Sequence, residues 1–299
     1  MRKASPLAHR SRPHHVWARF RRHKMAYLGL CFLLLVTILT LLGPMIWGLD
    51  PTTLDIAAKH QGPSLKHPMG TDQLGRDLFA AMMIGGRTSL MVGFIAMFLS
   101  LVLGTCVGMI AAVFKPLDGP LMRLTDLFLA LPMLPLLLVV IMLWRDSLRA
   151  AFGPESGVFI LVVCVISITS WMQTARIVRG EVLALKEREF ILAAISLGAG
   201  PRHLIWQHIL PNVLSPIFVS ATLGFASAIL TESALSFLGL GFPSDFPTWG
   251  RLLFDGTNYM TLTPARVIWP GLALSLTVLS VNYIGDGLRD AMDPRADTQ

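Results

Sequence analysis

The chain has 299 residues, of which 54% are hydrophobic and only 14% charged, and its formal net charge is +7. That much apolar side chain exceeds what one soluble core can bury, and it is gathered into runs of about 20 residues, the length that crosses a bilayer. A soluble globular domain is excluded, and with it the platform a nucleic-acid surface would need; the positive balance suits membrane topology and contact with anionic membrane lipid.

Residues 1–25 form a basic tail, with Arg2, Lys3, Arg10, Arg12, Arg19, Arg21, Arg22 and Lys24 and no acid. Such a segment stays in the cytoplasm and reads as mobile or interfacial. Six apolar runs follow: Ala26 to Trp47, Ser89 to Phe114, Leu124 to Leu143, Val158 to Met172, Val213 to Leu238 and Val267 to Ile284. An all-α integral membrane protein with six transmembrane helices is predicted. The first run, within 26–48, is too long for a signal-peptide core and Leu41-Leu42-Gly43-Pro44 is a poor cleavage site, so it is an uncleaved anchor. Residues 49–87 make the longest external segment. Asp72 and Asp77 are turn or N-cap residues there, and Asp77 is expected to open a short interfacial helix from Leu78 to Ile84.

Residues 88–286 hold the five remaining crossings. In the second, Gly104 and Gly108 are four apart and share a face on which another helix can approach closely. In the third, Pro132 and Pro135 remove backbone donors and bend or break the helix. A broken helix lining a pathway and a bent packing helix both fit. The fourth run is short, but its helix can continue through Gln173 to Leu185, with Arg176 and Arg179 at the headgroups or beyond. Six crossings return the C-terminal tail, residues 287–299, to the cytoplasm.

Between the fourth and fifth crossings lies a cytoplasmic segment, 186–212, containing Glu189-Phe190-Ile191-Leu192-Ala193-Ala194-Ile195-Ser196-Leu197-Gly198 and then Pro201 and Leu210-Pro211. Alanines at 193 and 194 keep one helix face flat. Gly198 permits a turn at positive φ, and Pro201 suits the first turn of a second helix. Leu204, Ile205, His208 and Ile209 then share a face of that second helix, which is expected to end at Leu210-Pro211. The shape is a docking knob; the plainer alternative is an ordinary helical hairpin.

Glu232 lies in the fifth crossing, 19 residues past Val213, or roughly 28 Å along a helix. That places it near the outer boundary, facing the bundle or water, as a helix contact or as a pathway or gating group. Cys31, Cys106 and Cys164 are widely spaced packing residues, and the eight histidines form no metal-type cluster with carboxylates or cysteines. No glycine is followed by lysine, so the chain has no phosphate-binding Gly-x-x-x-x-Gly-Lys loop.

Several segments, in order, resemble one family: His67-Pro68-Met69-Gly70-Thr71-Asp72-Gln73-Leu74-Gly75-Arg76-Asp77, Gly86-Arg87-Thr88-Ser89-Leu90, Asp126-Leu127-Phe128-Leu129-Ala130-Leu131-Pro132, Glu232-Ser233-Ala234-Leu235-Ser236-Phe237-Leu238-Gly239-Leu240-Gly241, Pro247-Thr248-Trp249-Gly250 and Gly285-Asp286-Gly287-Leu288-Arg289-Asp290-Ala291-Met292-Asp293-Pro294. Together they resemble the dipeptide/oligopeptide/nickel permease family of ABC importers over roughly residues 20 to 296. The cytoplasmic knob is similar to the family's Glu-Ala-Ala coupling motif: Ala193, Ala194, Gly198, Leu210 and Pro211 match, Leu192 stands where the motif has glutamate, and Glu189 is one turn upstream. The resemblance implies a type I importer transmembrane domain in a bacterial inner membrane. Its implied partners are a homologous second permease, two cytoplasmic ATP-binding subunits that hold ATP and magnesium, and a periplasmic or lipid-anchored substrate-binding protein. No cofactor belongs to this chain. Short peptides are the favoured substrate, with nickel or metal chelates or another small solute as the alternative. A self-contained secondary transporter or an integral-membrane enzyme would instead need midplane acids or a converging polar cluster, and neither stands out.

Overall fold

The computed structural model describes residues 13–48, 53–243 and 246–292. Arg2, Lys3, Arg10 and Arg12 of the basic tail and the C-terminal 293–299 lie outside the described residues. Among those described, the regular elements are helices: α1 (Pro13–Arg22), α2 (Lys24–Trp47), α3 (Leu78–Val113), α4 (Lys115–Ala130), α5 (Met133–Phe152), α6 (Pro154–Lys186), α7 (Glu189–Ser196), the single turn α8 (Pro201–His203), α9 (Leu210–Phe237), α10 (Trp249–Thr257) and α11 (Ala265–Met292). Five helical stretches are long and apolar enough to cross a membrane, and α4 with α5 makes a sixth as a pair bent by 90°.

The helix α6 is the hub, packing against α3, α5 and α9. Of its most apolar stretch 67% is buried, against 17% for the peripheral α2. The outer face of α2, with Leu34, Leu35, Ile38 and Leu42 exposed, is left for lipid. The helix α6 runs to Lys186, past the short apolar run, because apolar residues on one side keep packing as far as Leu185.

Two expectations are corrected. First, the basic tail is not free from Pro13 onward. Phe20 of α1 is buried with Ala26, Ile284 and Ala291, and His23 ends α1 and caps α2 by accepting from the Ala26 amide at 3.1 Å.

Second, the helix that Asp77 opens does not stop at Ile84 but runs to Val113. Asp77 Oδ1 accepts from the Ala80 amide at 2.8 Å, while Oδ2 lies 2.8 Å from His67 Nδ1. The helix persists through Gly85 and Gly86 because α10 packs onto their bare backbone. A Cβ on Gly86 would lie 2.7 Å from the Trp249 ring.

The break expected at the prolines of Leu124 to Leu143 is present. Leu131 is extended at ψ 135°, as a residue before proline tends to be. Pro132 then precedes α5 as its N-cap. Pro135 falls within the first turn of α5, where no intrahelical donor is required.

Gly104 and Gly108 sit where α3 crosses α6. A Cβ on Gly104 would lie 2.6 Å from the Trp171 carbonyl oxygen, and one on Gly108 2.4 Å from that of Ala175. The two backbones therefore touch, and no larger residue fits without moving a helix. Gly108→Leu is expected to destabilise the folded chain by about 2 kcal/mol or more, read as a lowered melting temperature of the purified complex, whereas Cys106→Ala on the exposed side of α3 should leave it unchanged.

Candidate functional site

At the end of α6 the chain leaves the bundle and turns back through an elbow made of α7, a glycine turn and α8. The Lys186 ammonium donates to the Ala112 carbonyl at 2.9 Å, fixing where α6 stops against α3. Arg188 is extended and precedes α7. Ile191 is the root of α7: its exposure is 0%, inside an apolar cluster with Met109, Ala112, Val178, Val182, Ile209, Val213 and Ile217. Residues from α3, α6, α7 and both sides of the α9 start thus share one core.

The turn follows from Gly198, whose φ is +85°. The Gly198 amide donates to the Ile195 carbonyl at 2.9 Å and the Ala199 amide to the Ala194 carbonyl at 3.0 Å. These are the paired bonds that close a helix C-terminus through a left-handed residue. Pro201 then occupies the first position of α8.

The second arm differs from expectation: it does not end at Leu210-Pro211. From Leu204 to Ile209 the backbone is a π-helix, and the Leu210 amide donates five residues back to Ile205. Pro211 has no amide hydrogen, and the widened turn lets the helix pass it without a break. The arm therefore continues directly into α9, so that Pro201–Phe237 is one long rod. Asn212 Nδ2, donating to the His208 carbonyl at 2.6 Å, occupies a backbone acceptor beside the proline.

Away from its root the elbow is apolar and open. Phe190, Leu192 and Ile195 are about half exposed, Trp206 is 69% and Leu197 89% exposed. Ala193 is exposed and Ala194 half-buried, so the alanine pair is flanked by larger apolar side chains. Glu189 is exposed in the first turn of α7, where a carboxylate favours the helix dipole. The motif's glutamate position, Leu192, also faces outward. The arrangement is an apolar knob, and exposed apolar surface of this kind marks a contact with another protein or with the membrane.

Charges that the sequence left unpartnered brace the elbow from beside it. Arg179 Nη2 donates to Asp118 Oδ2 at 2.7 Å, and Arg176 pairs with Asp126. Both join α4 to α6. Such exposed pairs contribute only about 0–1 kcal/mol each.

Glu232 lies 22 residues beyond Leu210, roughly 33 Å along the rod, at the end remote from the elbow. It is fully buried. Ser89 of α3 donates to Oε2 at 2.9 Å and Ser236 to Oε1 at 2.7 Å. Ser89 in turn accepts from the Trp249 amide at 3.2 Å, and the Trp249 indole donates to the Met82 carbonyl at 3.1 Å. The carboxylate thus ties α3, α9 and α10 together. Sequence reasoning singled out Glu232 but not Ser89, Ser236 or Trp249. All three stood in quoted motifs, which was the only signal available.

Residues 104–298 match the family described as the binding-protein-dependent transport system inner membrane component. The chain belongs to that family of permeases. Residues 11–63 match the N-terminal transmembrane domain of oligopeptide transport permease C. The permease is 36% identical to the dipeptide transport system permease protein DppC of Alkalihalophilus pseudofirmus, covering 93% of this chain and 88% of that one. It is 37% identical to the oligopeptide transport system permease protein OppC of Bacillus subtilis, with the same coverage. A putative peptide permease protein of Brucella suis is 41% identical over 93% of this chain and 90% of its own length. In fold the permease is similar to an inward-facing structure of the MetNI methionine ABC transporter, with a TM-score of 0.57 at 19% identity, covering 70% of this chain and 95% of that one. The permease is therefore a multi-pass inner-membrane subunit of an ABC importer that works with ATPase subunits and is not itself an enzyme.

The buried web makes a specific demand. Glu232→Ala removes the acceptor for three buried hydroxyls, those of Ser89, Ser233 and Ser236, and leaves a void, so it is expected to cost about 2–4 kcal/mol. Glu232→Gln, which keeps the shape and one acceptor oxygen, should cost less than half of that. Thermal melting of the purified complex checks the order; equal melting temperatures for Ala and wild type would contradict the tie.

Proposed function

We propose that the permease forms half of the translocation pathway of a bacterial importer of short peptides, and that its elbow is where nucleotide-driven motion enters the bundle. The other half is a homologous permease. Two ATP-binding subunits lie below, holding ATP and magnesium, and a binding protein delivers solute from outside. Both termini are cytoplasmic: the basic residues of α1, with Arg19, Arg21 and Arg22 in its last turn, support this by the positive-inside rule. The peptide substrate is supported by the names of the relatives.

One observation carries the mechanical part. The elbow is open and apolar on one side and rooted through Ile191 in the core of α3, α6 and α9 on the other. A partner that grips the open side moves the helices behind it. Closure of the ATPase dimer around nucleotide would tilt α6 and the Pro201–Phe237 rod together, switching the pathway from inward-open to outward-open. The energy comes from the difference in nucleotide affinity between the two states; the permease contributes stiffness and a site to grip.

Nothing else in the chain lies within 4 Å of a Cβ built on Gly198, so within the permease a substitution there acts through its φ and not through crowding. Gly198→Val strains the turn by about 1–2 kcal/mol. It is expected to leave the complex assembled while lowering substrate-stimulated ATP hydrolysis and uptake about tenfold, and Gly198→Asn, which tolerates a left-handed backbone, should keep most of both. Wild-type rates in the valine variant would refute the role. In the same reconstituted complex, labelled tripeptide should be taken up and nickel chelates should not compete; uptake of the chelate without the peptide would overturn the substrate.

A further inference from the structure

The break between α4 and α5 opens onto a crevice of about 220 Å³ bounded also by α3, α6 and α9. It is smaller than the roughly 300–1,000 Å³ of a closed ligand site, as one wall of a larger passage would be. No Asp, Glu, Lys, Arg or His lines it. Its polar groups are neutral, and they divide into two sets. Thr174 and Ser220 bond to each other at 2.8 Å, while Thr169 and Ser100 donate back to their own helices. Gln173, Ser170 and Ser227 line the same crevice, and none of their side chains has a hydrogen-bond partner among the described residues.

Gln173 is exposed on a membrane-spanning helix. Gln173 stands one turn before Arg176, at the inner end of the apolar stretch, and its unpartnered amide there meets water or a polar solute. The last carbonyls of α4 end at the same place, and backbone freed by a broken helix is tolerated in a membrane where it lines a cavity.

We propose that Gln173, with Ser170 and Ser227, is a neutral subsite in the translocation pathway that hydrogen-bonds the backbone of a passing peptide. This rests on the peptide reading above and extends it to named residues. A carboxamide offers two donors and one acceptor, the complement of the N–H and C=O that every peptide group presents. With no fixed charge in the crevice, an acidic and a basic side chain pass with equal penalty. The pathway recognises what all short peptides share and ignores what distinguishes them, which fits a subunit that leaves selection to a separate binding protein.

The test places a charge in the crevice of the complete reconstituted complex and reads the ratio of uptake of a lysine-containing to a glutamate-containing tripeptide. Wild type should show a ratio fixed by its binding protein. Gln173→Glu should raise that ratio about fivefold or more and Gln173→Lys should lower it by a similar factor, because like charge is repelled. Ser227→Asp, on a different helix, should shift it in the same direction as Gln173→Glu, and so keeps the test open if one variant fails to assemble. Ratios within twofold of wild type in the assembled variants would overturn the subsite, as would loss of pairing with the second permease as the sole effect, which would make Gln173 a subunit contact. Wild-type complex that moves neither tripeptide but does move another solute would overturn the peptide reading itself, a result distinct from peptide uptake with an unmoved ratio.

Discussion

The behaviour of the permease depends on one apolar cluster, the one in which Ile191 and Ile209 from the elbow are buried with Met109, Ala112, Val178, Val182, Val213 and Ile217. An exposed knob on a flexible tether would transmit nothing. Here the knob shares a close-packed core with three long helices, and such a core shifts as a unit and does not deform smoothly. Pro201–Phe237 continues from that core through the bundle as one helical stretch, with Pro216 inside it. The π-helical turn at Leu204–Ile209 makes this continuity possible, since it passes Pro211 without a hinge.

At the far end of the same rod, Glu232 holds α9 to α3 and α10 through Ser89, Ser236 and Trp249. The α3–α6 contact at Gly104 and Gly108 locks the remaining pair backbone to backbone. Three of the spanning helices are thus joined at several levels. The α4–α5 pair is different: its backbone breaks at Leu131-Pro132, and the neutral crevice lies at that break. Stiff elements to carry motion and one irregular element beside a polar wall are complementary parts of an alternating-access device.

Much of this was legible in the sequence. Long apolar runs announce crossings because only helices satisfy their backbone in lipid. Gly198 and Pro201 announced the elbow because a left-handed turn and a helix first turn each have a residue that suits them. What stayed hidden was nonlocal or cooperative. The Ser89–Glu232 bond joins residues 143 apart, and no local pattern encodes it. The run of α3 through Gly85 and Gly86 depends on the packing of Trp249, so local propensity misplaced a helix end at Ile84. The docking of α1 through Phe20 depends on Ile284 and Ala291 at the other end of the chain. Pro211 read as a terminus because proline usually is one; the π turn that absorbs it has no sequence signature of its own.

The central claim is that the root of the elbow, and not merely its outer surface, couples hydrolysis to transport. The most direct measurement is the number of ATP molecules hydrolysed per solute imported by the reconstituted complex carrying Ile191→Ala. That substitution leaves the open face of the knob in place and hollows the core behind it, at about 2–5 kcal/mol of local packing. The account predicts an assembled complex that still hydrolyses ATP but spends several times more of it per solute. An unchanged ratio would show that the buried root does not transmit the motion.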